Sequence, residues 1–290
     1  MRIFFYTIMM MSLGGDIAAQ SGSLFTDEIN SVALGRVWKF KVYLPSDYET
    51  SNLRYPVLYL LHSDSGDEDA WAEEFNIHLT LDSLIAAGKF PPCIAVMPAT
   101  GTSWWVDTIE LFETAFTNDL IPAIDSEYRT IPERDGRGLL GYKMGSYGAI
   151  RYALIHPQLF GAAALLNPEV YEDLPPTTGS SARTSGAFGE RRFEQDTWFA
   201  LNYPESIRLY LEQTLRTPVY ITAGDDEPNH PSGYEYNVEQ QSVILFGHLN
   251  KVAESPAELR IFQGDWAGIK IKMLQSGVQY QFQFLKDPTP

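Results

Sequence analysis

GLLGYKMGSYGAIRYALI, which spans residues 138–155, predicts a buried strand, a tight turn and a helix in immediate succession. Residues 138–141 form the apolar strand, and Gly141 and Gly145 lie on either side of the turn. Residues 144–155 follow with the small side chains of a closely packed helix. A strand that runs directly into a helix is typical of α/β proteins, in which such helices cover a parallel sheet.

The alternation of strands and helices continues on both sides of this segment. Short apolar runs predict strands at residues 37–44, 57–61, 93–97, 162–166, 219–222 and 259–262. Longer runs with helical periodicity predict helices at residues 77–87, 109–128, 237–252 and 267–285. We therefore expect a single α/β domain with a mostly parallel central sheet and helices on both faces.

One internal segment falls outside this pattern. Residues 175–189, PPTTGSSARTSGAFG, are rich in Pro, Gly, Ser and Thr and predict a long surface loop or lid within the domain. A linker between two domains is the alternative interpretation, but the strands on either side fit one sheet.

The N-terminus has the pattern of a signal peptide. A single Arg2, a short apolar run and the pair Ala18-Ala19 predict a signal over residues 1–19 and a mature domain over residues 20–290. The run is shorter than the ~20 residues that span a bilayer, so we expect no integral membrane segment in the mature chain. The protein would be secreted or periplasmic. If the segment is instead a retained N-terminal strand, the protein would be cytoplasmic.

Composition excludes several classes of protein. Of 290 residues, 44% are hydrophobic and 20% charged, which excludes a disordered chain. The net charge of −16 argues against nucleic acid as a partner and against adhesion to an anionic membrane. The single cysteine, Cys93, excludes an intrachain disulfide and a cysteine metal cluster. No metal-ligand spacing or phosphate loop is present, so we expect no metal and no cofactor.

Four stretches, in this order and spacing, resemble a known family. The first is RYPVLYLLH at residues 54–62, with the later Trp71. The second is VMP followed by SWWVD within residues 96–107, the third is residues 119–167, and the fourth is ITAGDDE at residues 221–227. The chain resembles the α/β-hydrolase esterases that include esterase D (S-formylglutathione hydrolase), feruloyl and acetyl-xylan esterases, and mycolyltransferases. The resemblance runs from about residue 30 to about residue 285 and implies an α/β-hydrolase fold with a Ser–His–acid triad.

The triad implied by this resemblance is degenerate here. The family places its serine in G-x-S-x-G, where this chain has Lys143 between Gly141 and Gly145. The family's histidine, in G-x-H-x-W, corresponds to Gly264 when counted back from Trp266; a one-residue deletion is the other alignment. The acid position corresponds to Glu227 or to the adjacent Asp226. A protonated lysine is not a nucleophile, so the usual acyl-enzyme cannot form.

Lys143 and Ser146 each carry a further hypothesis. We predict that the Lys143 ammonium is buried and forms an ion pair with Glu227 or Asp226. This ion pair would fill the space of the former active site. Ser146, which replaces the second glycine of the family pattern, is either a buried helix residue or a shifted nucleophile.

The resemblance also implies an oxyanion site and a ligand pocket. The backbone N–H groups of Ser63, Asp64 and Met144 correspond to the oxyanion donors, although an acidic run at residues 64–69 lies beside them. Aromatic faces suit sugar and phenolic rings, although each could equally belong to the core. The predicted pocket residues are Trp71, Trp104, Trp105, Asp107 and Tyr142.

Three functions follow from these observations. The first is a pseudoenzyme that binds a carbohydrate, an aryl-ester-like small molecule or a protein partner. The second is an active carboxylic-ester hydrolase with relocated residues, using Ser146, Ser63 or Ser103 with His230 or His62. The third is a structural or scaffolding protein.

Overall fold

The computed structural model describes residues 21–177, 179–183, 186–226 and 237–290. These residues contain an eight-stranded sheet whose strands lie in the spatial order β1-β2-β4-β3-β5-β6-β7-β8. In chain order the strands are β1 (Ser23–Ser31), β2 (Arg36–Leu44), β3 (Val57–Leu61), β4 (Ile94–Pro98), β5 (Arg137–Tyr142), β6 (Ala162–Leu166), β7 (Val219–Gly224) and β8 (Ala257–Phe262).

The sheet is mostly parallel, as predicted. β1 pairs with β2 and β2 with β4 in antiparallel register, and every pair from β4 through β3, β5, β6 and β7 to β8 is parallel. The inner strands β3, β4, β5, β6 and β7 are buried along their whole length. They read as continuous apolar runs because helices cover both of their faces.

Ten α-helices lie in the described residues, and several of them pack on the sheet. They are α1 (Ala70–Phe75), α2 (Ile77–Ala86), α3 (Phe112–Ala115), α4 (Ile121–Glu127), α5 (Met144–Ile155), α6 (Ser180–Arg183), α7 (Gln195–Leu201), α8 (Tyr203–Leu211), α9 (Val238–Leu249) and α10 (Trp266–Gln281). None of the helices in the described ranges combines the length and the apolar character needed to cross a membrane.

Two hydrophobic cores lie on the two faces of the sheet. Alternate residues of β3 divide between them: Tyr59 packs in the core that contains α5, and Leu58 packs in the core that contains α1, α2 and α10. This division follows from the period of two along a strand. The helix α5 packs on β3, β5 and β6, so it covers the middle of the sheet.

The structure corrects several predicted boundaries. The predicted helix 109–128 is instead α3, a π-helical turn at Phe116–Leu120, and α4. β1, α1, α7 and α8 were not predicted. The described residues of the segment 175–189 are more than a surface loop, because residues 180–183 form α6 and Phe188 is buried against Trp104 and Trp198. The predicted signal at residues 1–19 lies outside the described residues.

Candidate functional site

The connection from β5 to α5 is a turn of one residue, Lys143. Lys143 has φ 50° and ψ −117°, a strained conformation that costs a residue with a side chain about 1–3 kcal/mol. A Cβ atom on Gly141 would lie 2.1 Å from the Gly145 carbonyl oxygen, and one on Gly145 would lie 2.0 Å from the Leu61 carbonyl oxygen. Both glycines are therefore needed for the sharp turn that presents residue 143, which we call the elbow.

The Lys143 ammonium lies over an aromatic ring. Its Nζ is 5.1 Å from the centroid of the Trp266 ring. The side chain is partly exposed, and it takes part in none of the ion pairs between described residues. The predicted buried pair of Lys143 with Asp226 is therefore wrong, and Asp226 is itself exposed. Glu227, the other predicted partner, lies outside the described residues.

Glu74 of α1 fixes the indole ring of Trp266, over which the Lys143 ammonium lies. Its carboxylate accepts hydrogen bonds from Trp266 Nε1 at 2.8 Å and from Lys270 Nζ at 2.7 Å. Burial acts to raise the pKa of Glu74, but these hydrogen bonds and the charges of Lys270 and Lys143 outweigh it and lower the pKa. The sequence analysis missed Glu74, because its partners lie 192 and 196 residues away and leave no local pattern.

The position expected for the histidine base holds a glycine in a left-handed conformation. Gly264 has φ +125°, and a Cβ atom there would come within 3.0 Å of Ile269 Cγ2. Its N–H donates to Asp225 Oδ1 at 2.8 Å. A histidine at this position would be strained in the present backbone. His230, the predicted substitute base, lies outside the described residues.

Ser146 is a buried structural residue and is not placed as a shifted nucleophile. Its side chain is fully buried, and its hydroxyl donates to the Gly141 carbonyl at 2.8 Å. The same oxygen accepts from the Leu166 N–H at 3.0 Å. The hydroxyl thus ties β5 to β6 beneath the elbow, where a substrate carbonyl has no access.

His62 is likewise occupied by structural contacts. Its Nε2 accepts from the Thr100 N–H at 2.9 Å, and its Nδ1 lies 2.6 Å from the Ser63 carbonyl oxygen. Burial lowers the pKa of His62 to about 4. The ring is neutral at pH 7, and its one N–H donates to Ser63. It therefore fixes the loop that follows β3 and has no ring nitrogen left to act as a base.

The predicted oxyanion positions lie beside the elbow. Met144 is fully buried at the start of α5. A hydrogen bond links the Ser63 backbone to the Tyr142 hydroxyl, and it partly offsets the burial that raises the pKa of Tyr142 to about 12. Burial also raises the pKa of Asp64, against the opposing charge of Arg183 in α6. One backbone group of this loop is thus already engaged by Tyr142.

The three predicted pocket tryptophans belong to the core. Trp71, Trp104 and Trp105 each expose 0% of their surface, so they offer no face to a ligand and this part of the pocket prediction is wrong. Trp71 stacks on Phe75 with ring centroids 4.6 Å apart. Tyr142 exposes 7% and stacks on Trp266 at 5.7 Å. The aromatic cluster therefore supports the elbow from within.

Asp107 is placed differently from these aromatic residues. It lines a cavity of about 450 Å³ together with Thr108, Ile109 and Gly189. Its two carboxylate oxygens accept from the N–H and the hydroxyl of Thr114 at 3.1 and 2.5 Å. Asp107 thus shapes the wall of an open cavity.

Comparison with known proteins relates this arrangement to esterases. A family model described as "Putative esterase" matches residues 31–243. Esterase Rv1288 of Mycobacterium tuberculosis (strain ATCC 25618 / H37Rv) is 38% identical over 130 residues, which is 42% of this chain and 27% of that protein. An endo-1,4-beta-xylanase/feruloyl esterase of Xylanibacter ruminicola is 34% identical over 151 residues, which is 49% of this chain and 21% of that protein. The chain spans only about a quarter of the length of these relatives.

Solved structures share the fold along nearly the whole chain. A ferulic acid esterase superposes with a TM-score of 0.69 at 20% identity, covering 91% of this chain and 99% of that one. FphF, a fluorophosphonate-binding serine hydrolase of Staphylococcus aureus, superposes with a TM-score of 0.73 at 16% identity, covering 90% of this chain and 99% of that one. An S-formylglutathione hydrolase from Agrobacterium tumefaciens has a TM-score of 0.69 at 17% identity, covering 92% and 97%. At these identities the likeness establishes the α/β-hydrolase fold.

Proposed function

Because the chain belongs to the esterase family, we propose that it is a pseudoenzyme that keeps the family's fold and binds a ligand without hydrolysing it. The observation that carries the proposal is Lys143 at the strained elbow. The turn that would present a nucleophilic hydroxyl presents an ammonium, which cannot form an acyl ester.

The surroundings of the elbow support the same proposal. Gly264 provides no base, and the neutral ring of His62 has both nitrogens engaged. Members of a triad act as a unit, so the loss of one already removes most of the rate. The oxyanion donors alone supply a rate enhancement of only ~10³–10⁴ over the reaction in water, which is a trace activity. The ligand we expect is a carbohydrate or an aryl-ester-like small molecule, the classes that the family resemblance implies.

Hydrolysis of an aryl acetate and of methyl ferulate by the purified chain tests this proposal. We expect no turnover above background and no covalent labelling by an organophosphonate, because the elbow has no hydroxyl. Turnover by the native protein above background would overturn the proposal, and turnover that also survives Lys143→Ala would direct the search to the relocated residues.

Two variants locate any residual chemistry. Ser146→Ala removes the hydroxyl of the relocated-nucleophile alternative, and labelling that disappears in this variant would favour that alternative. The double variant Lys143→Ser/Gly264→His restores the serine and the histidine that the family pattern has at these two positions. It recovers activity only if the backbone at position 264, now at φ +125°, relaxes to accept a side chain.

We also propose that the protein is exported. The pattern of residues 1–19 supports this, as does the similarity to a xylanase/feruloyl esterase. Mass spectrometry of the chain expressed in a bacterial host tests it. We expect a mature N-terminus at Gln20 in the extracytoplasmic fraction, and an intact Met1 in the cytoplasm would overturn the proposal.

A further inference from the structure

The outer edge of β8 is unpaired among the residues that the structure describes. β8 ends the strand order and pairs only with β7. On the inner side, the carbonyls of Pro256 and Phe262 accept N–H groups from the β7 side at 2.9 and 3.0 Å. Because the direction of the backbone groups alternates along a strand, the odd-numbered residues of β8 turn their N–H and C=O groups away from β7. These residues are Ala257, Leu259 and Ile261.

We propose that this edge binds a second copy of the chain, with the two β8 strands antiparallel about a two-fold axis at Leu259. This partner lies beyond the proposed function, because β8 ends the sheet whereas the elbow follows β5 in its middle. The outward backbone groups of the two copies then form hydrogen-bonded pairs. Glu258 of each copy lies opposite Arg260 of the other, in the closely spaced pairs that make no backbone hydrogen bond.

Charge selects this register. Glu258 and Arg260 are both exposed, and neither takes part in an ion pair with another described residue. Opposite charges directly across antiparallel strands stabilise the pairing, and like charges destabilise it. A register centred on Glu258 or on Arg260 would place like charges opposite each other, and one centred nearer to either end of β8 would pair fewer of its residues. The register centred on Leu259 makes the Glu258–Arg260 contact twice.

Arg260 is held in place before a second copy binds. Its guanidinium lies over the Phe262 ring, 4.7 Å from the centroid, and its Nη1 donates to the Ser276 hydroxyl at 3.5 Å. A guanidinium has five N–H donors, so several remain for a carboxylate. Because the side chain is already ordered, it loses less conformational entropy when it pairs with Glu258 of the second copy.

The opposite face of β8 is apolar. Ala257, Leu259 and Ile261 share this face because side chains alternate along a strand, and all three are only partly buried. Ala257 and Leu259 pack against the core that contains α5. In the proposed register Leu259 lies opposite its counterpart, and Ala257 lies opposite Ile261. Pairing would therefore bury apolar side chains on one face of the sheet and join charges on the other.

Repulsion between two chains of net charge −16 opposes this association. At about 0.15 M salt the screening length is ~8 Å, so the charges close to the interface matter most. The charged residues that adjoin β8 in the chain or on the neighbouring elements carry both signs, with acids in excess. They include Lys251, Lys272, Asp225, Glu239, Glu254 and Asp265. None of them lies on β8 itself, where the opposed side chains are closest, so we expect the two Glu258–Arg260 contacts to prevail.

The other edge of the sheet lacks this complementarity. β1, SLFTDEINS, has Asp27 and Glu28 at its centre and no basic residue. A second antiparallel β1 would meet these carboxylates with acidic or uncharged residues only, and charge on an edge strand hinders pairing with another chain. β8 is therefore the edge at which a second copy fits.

Sedimentation velocity of the full chain in about 0.15 M NaCl tests the proposal. We expect the native chain to dimerise, and Glu258→Arg and Arg260→Glu each to weaken dimerisation at least tenfold, because each puts like charges opposite each other at two places. An equimolar mixture of these two variants should regain the native affinity, since one presents two arginines and the other two glutamates. The double variant Glu258→Arg/Arg260→Glu should also dimerise. Glu258→Gln keeps an acceptor for the guanidinium and should weaken dimerisation less than Glu258→Arg.

Glu28→Arg and Lys39→Glu are the matched controls. Both residues are exposed on the two strands at the far edge of the sheet, and the changes are the same reversals of charge. Their dimerisation should stay within threefold of native.

Three results would overturn the inference. The first is a native chain that stays monomeric at about 100 μM, which would leave the edge to a different partner. The others are a dimer that persists in both charge-reversal variants, and variants that circular dichroism shows to be folded but that do not associate when mixed. Ester turnover of the same samples tests the proposed function separately.

Discussion

Lys143 combines a strained backbone with a side chain that has few contacts. Its φ of 50° favours glycine, and its ammonium contacts the Trp266 ring from a partly exposed position. Lys143→Ala and Lys143→Gly both remove the side chain, so they differ only in backbone preference. We expect the glycine variant to be more stable than the alanine variant by ~1 kcal/mol, because relief of strain exceeds the entropy cost of glycine. Urea unfolding of the two proteins measures the difference, and a more stable alanine variant would contradict it.

Single residues show what could be inferred from the sequence and what could not. Lys143 and Gly264 were identified from their places in short motifs, and the structure puts Lys143 at the elbow and Gly264 in the loop before α10. The pairing of Lys143 with Asp226 was predicted wrongly, because Trp266 and the Glu74 that orients it come from distant parts of the chain. The tryptophans were assigned to a pocket because a sequence does not tell an aromatic side chain that lines a cavity from one that fills the core.

The packing of α5 against β3 depends on a helix glycine. A Cβ atom on Gly145 would lie 2.0 Å from the Leu61 carbonyl oxygen, and because that atom belongs to the backbone of a central strand, it cannot move aside. We expect Gly145→Ala to destabilise the fold by about 2–3 kcal/mol through overpacking. Gly247→Ala in α9 is the matched control. A Cβ atom there meets nothing within 4 Å, so this change should be neutral or stabilise by up to ~1 kcal/mol.

Thermal and urea unfolding of these two variants measure the effects. Equal stability of Gly145→Ala and Gly247→Ala would show that α5 shifts away from β3 without cost, which contradicts the close contact at the elbow.

Elements with a strong local pattern were predicted to within a few residues. α5 and β6 match their predicted ranges. The small residues of α5 indicate only a closely packed helix, and the apolar run of β6 indicates only a buried strand. β1 was missed because SLFTDEINS is polar on one side and is ordered by its antiparallel pairing with β2. The π-helical turn at Phe116–Leu120 was missed because it does not interrupt the apolar pattern of the helix around it.

The whole molecule carries a net charge of −16, which opposes compaction. Salt acts on this charge in two directions: it screens the general repulsion, and it weakens exposed ion pairs such as Arg36–Glu110, in which both side chains are 48% exposed. Exposed pairs contribute only about 0–1 kcal/mol each. We therefore expect relief of repulsion to prevail and the melting temperature to rise as NaCl increases from about 0.01 to 0.15 M, over which the screening length falls from ~30 to ~8 Å.

A charge-reduced variant separates this effect from a general effect of salt on the protein surface. Glu49, Glu127 and Glu258 are exposed and take part in none of the ion pairs between described residues. Glu49→Gln/Glu127→Gln/Glu258→Gln lowers the net charge from −16 to −13 without breaking those pairs. Its melting temperature should be higher than that of the native chain at low salt and should rise less with NaCl. If the native melting temperature falls with NaCl, specific ion pairs such as Arg137–Asp125, where both side chains are less than a fifth exposed, outweigh the net charge in the stability of this fold.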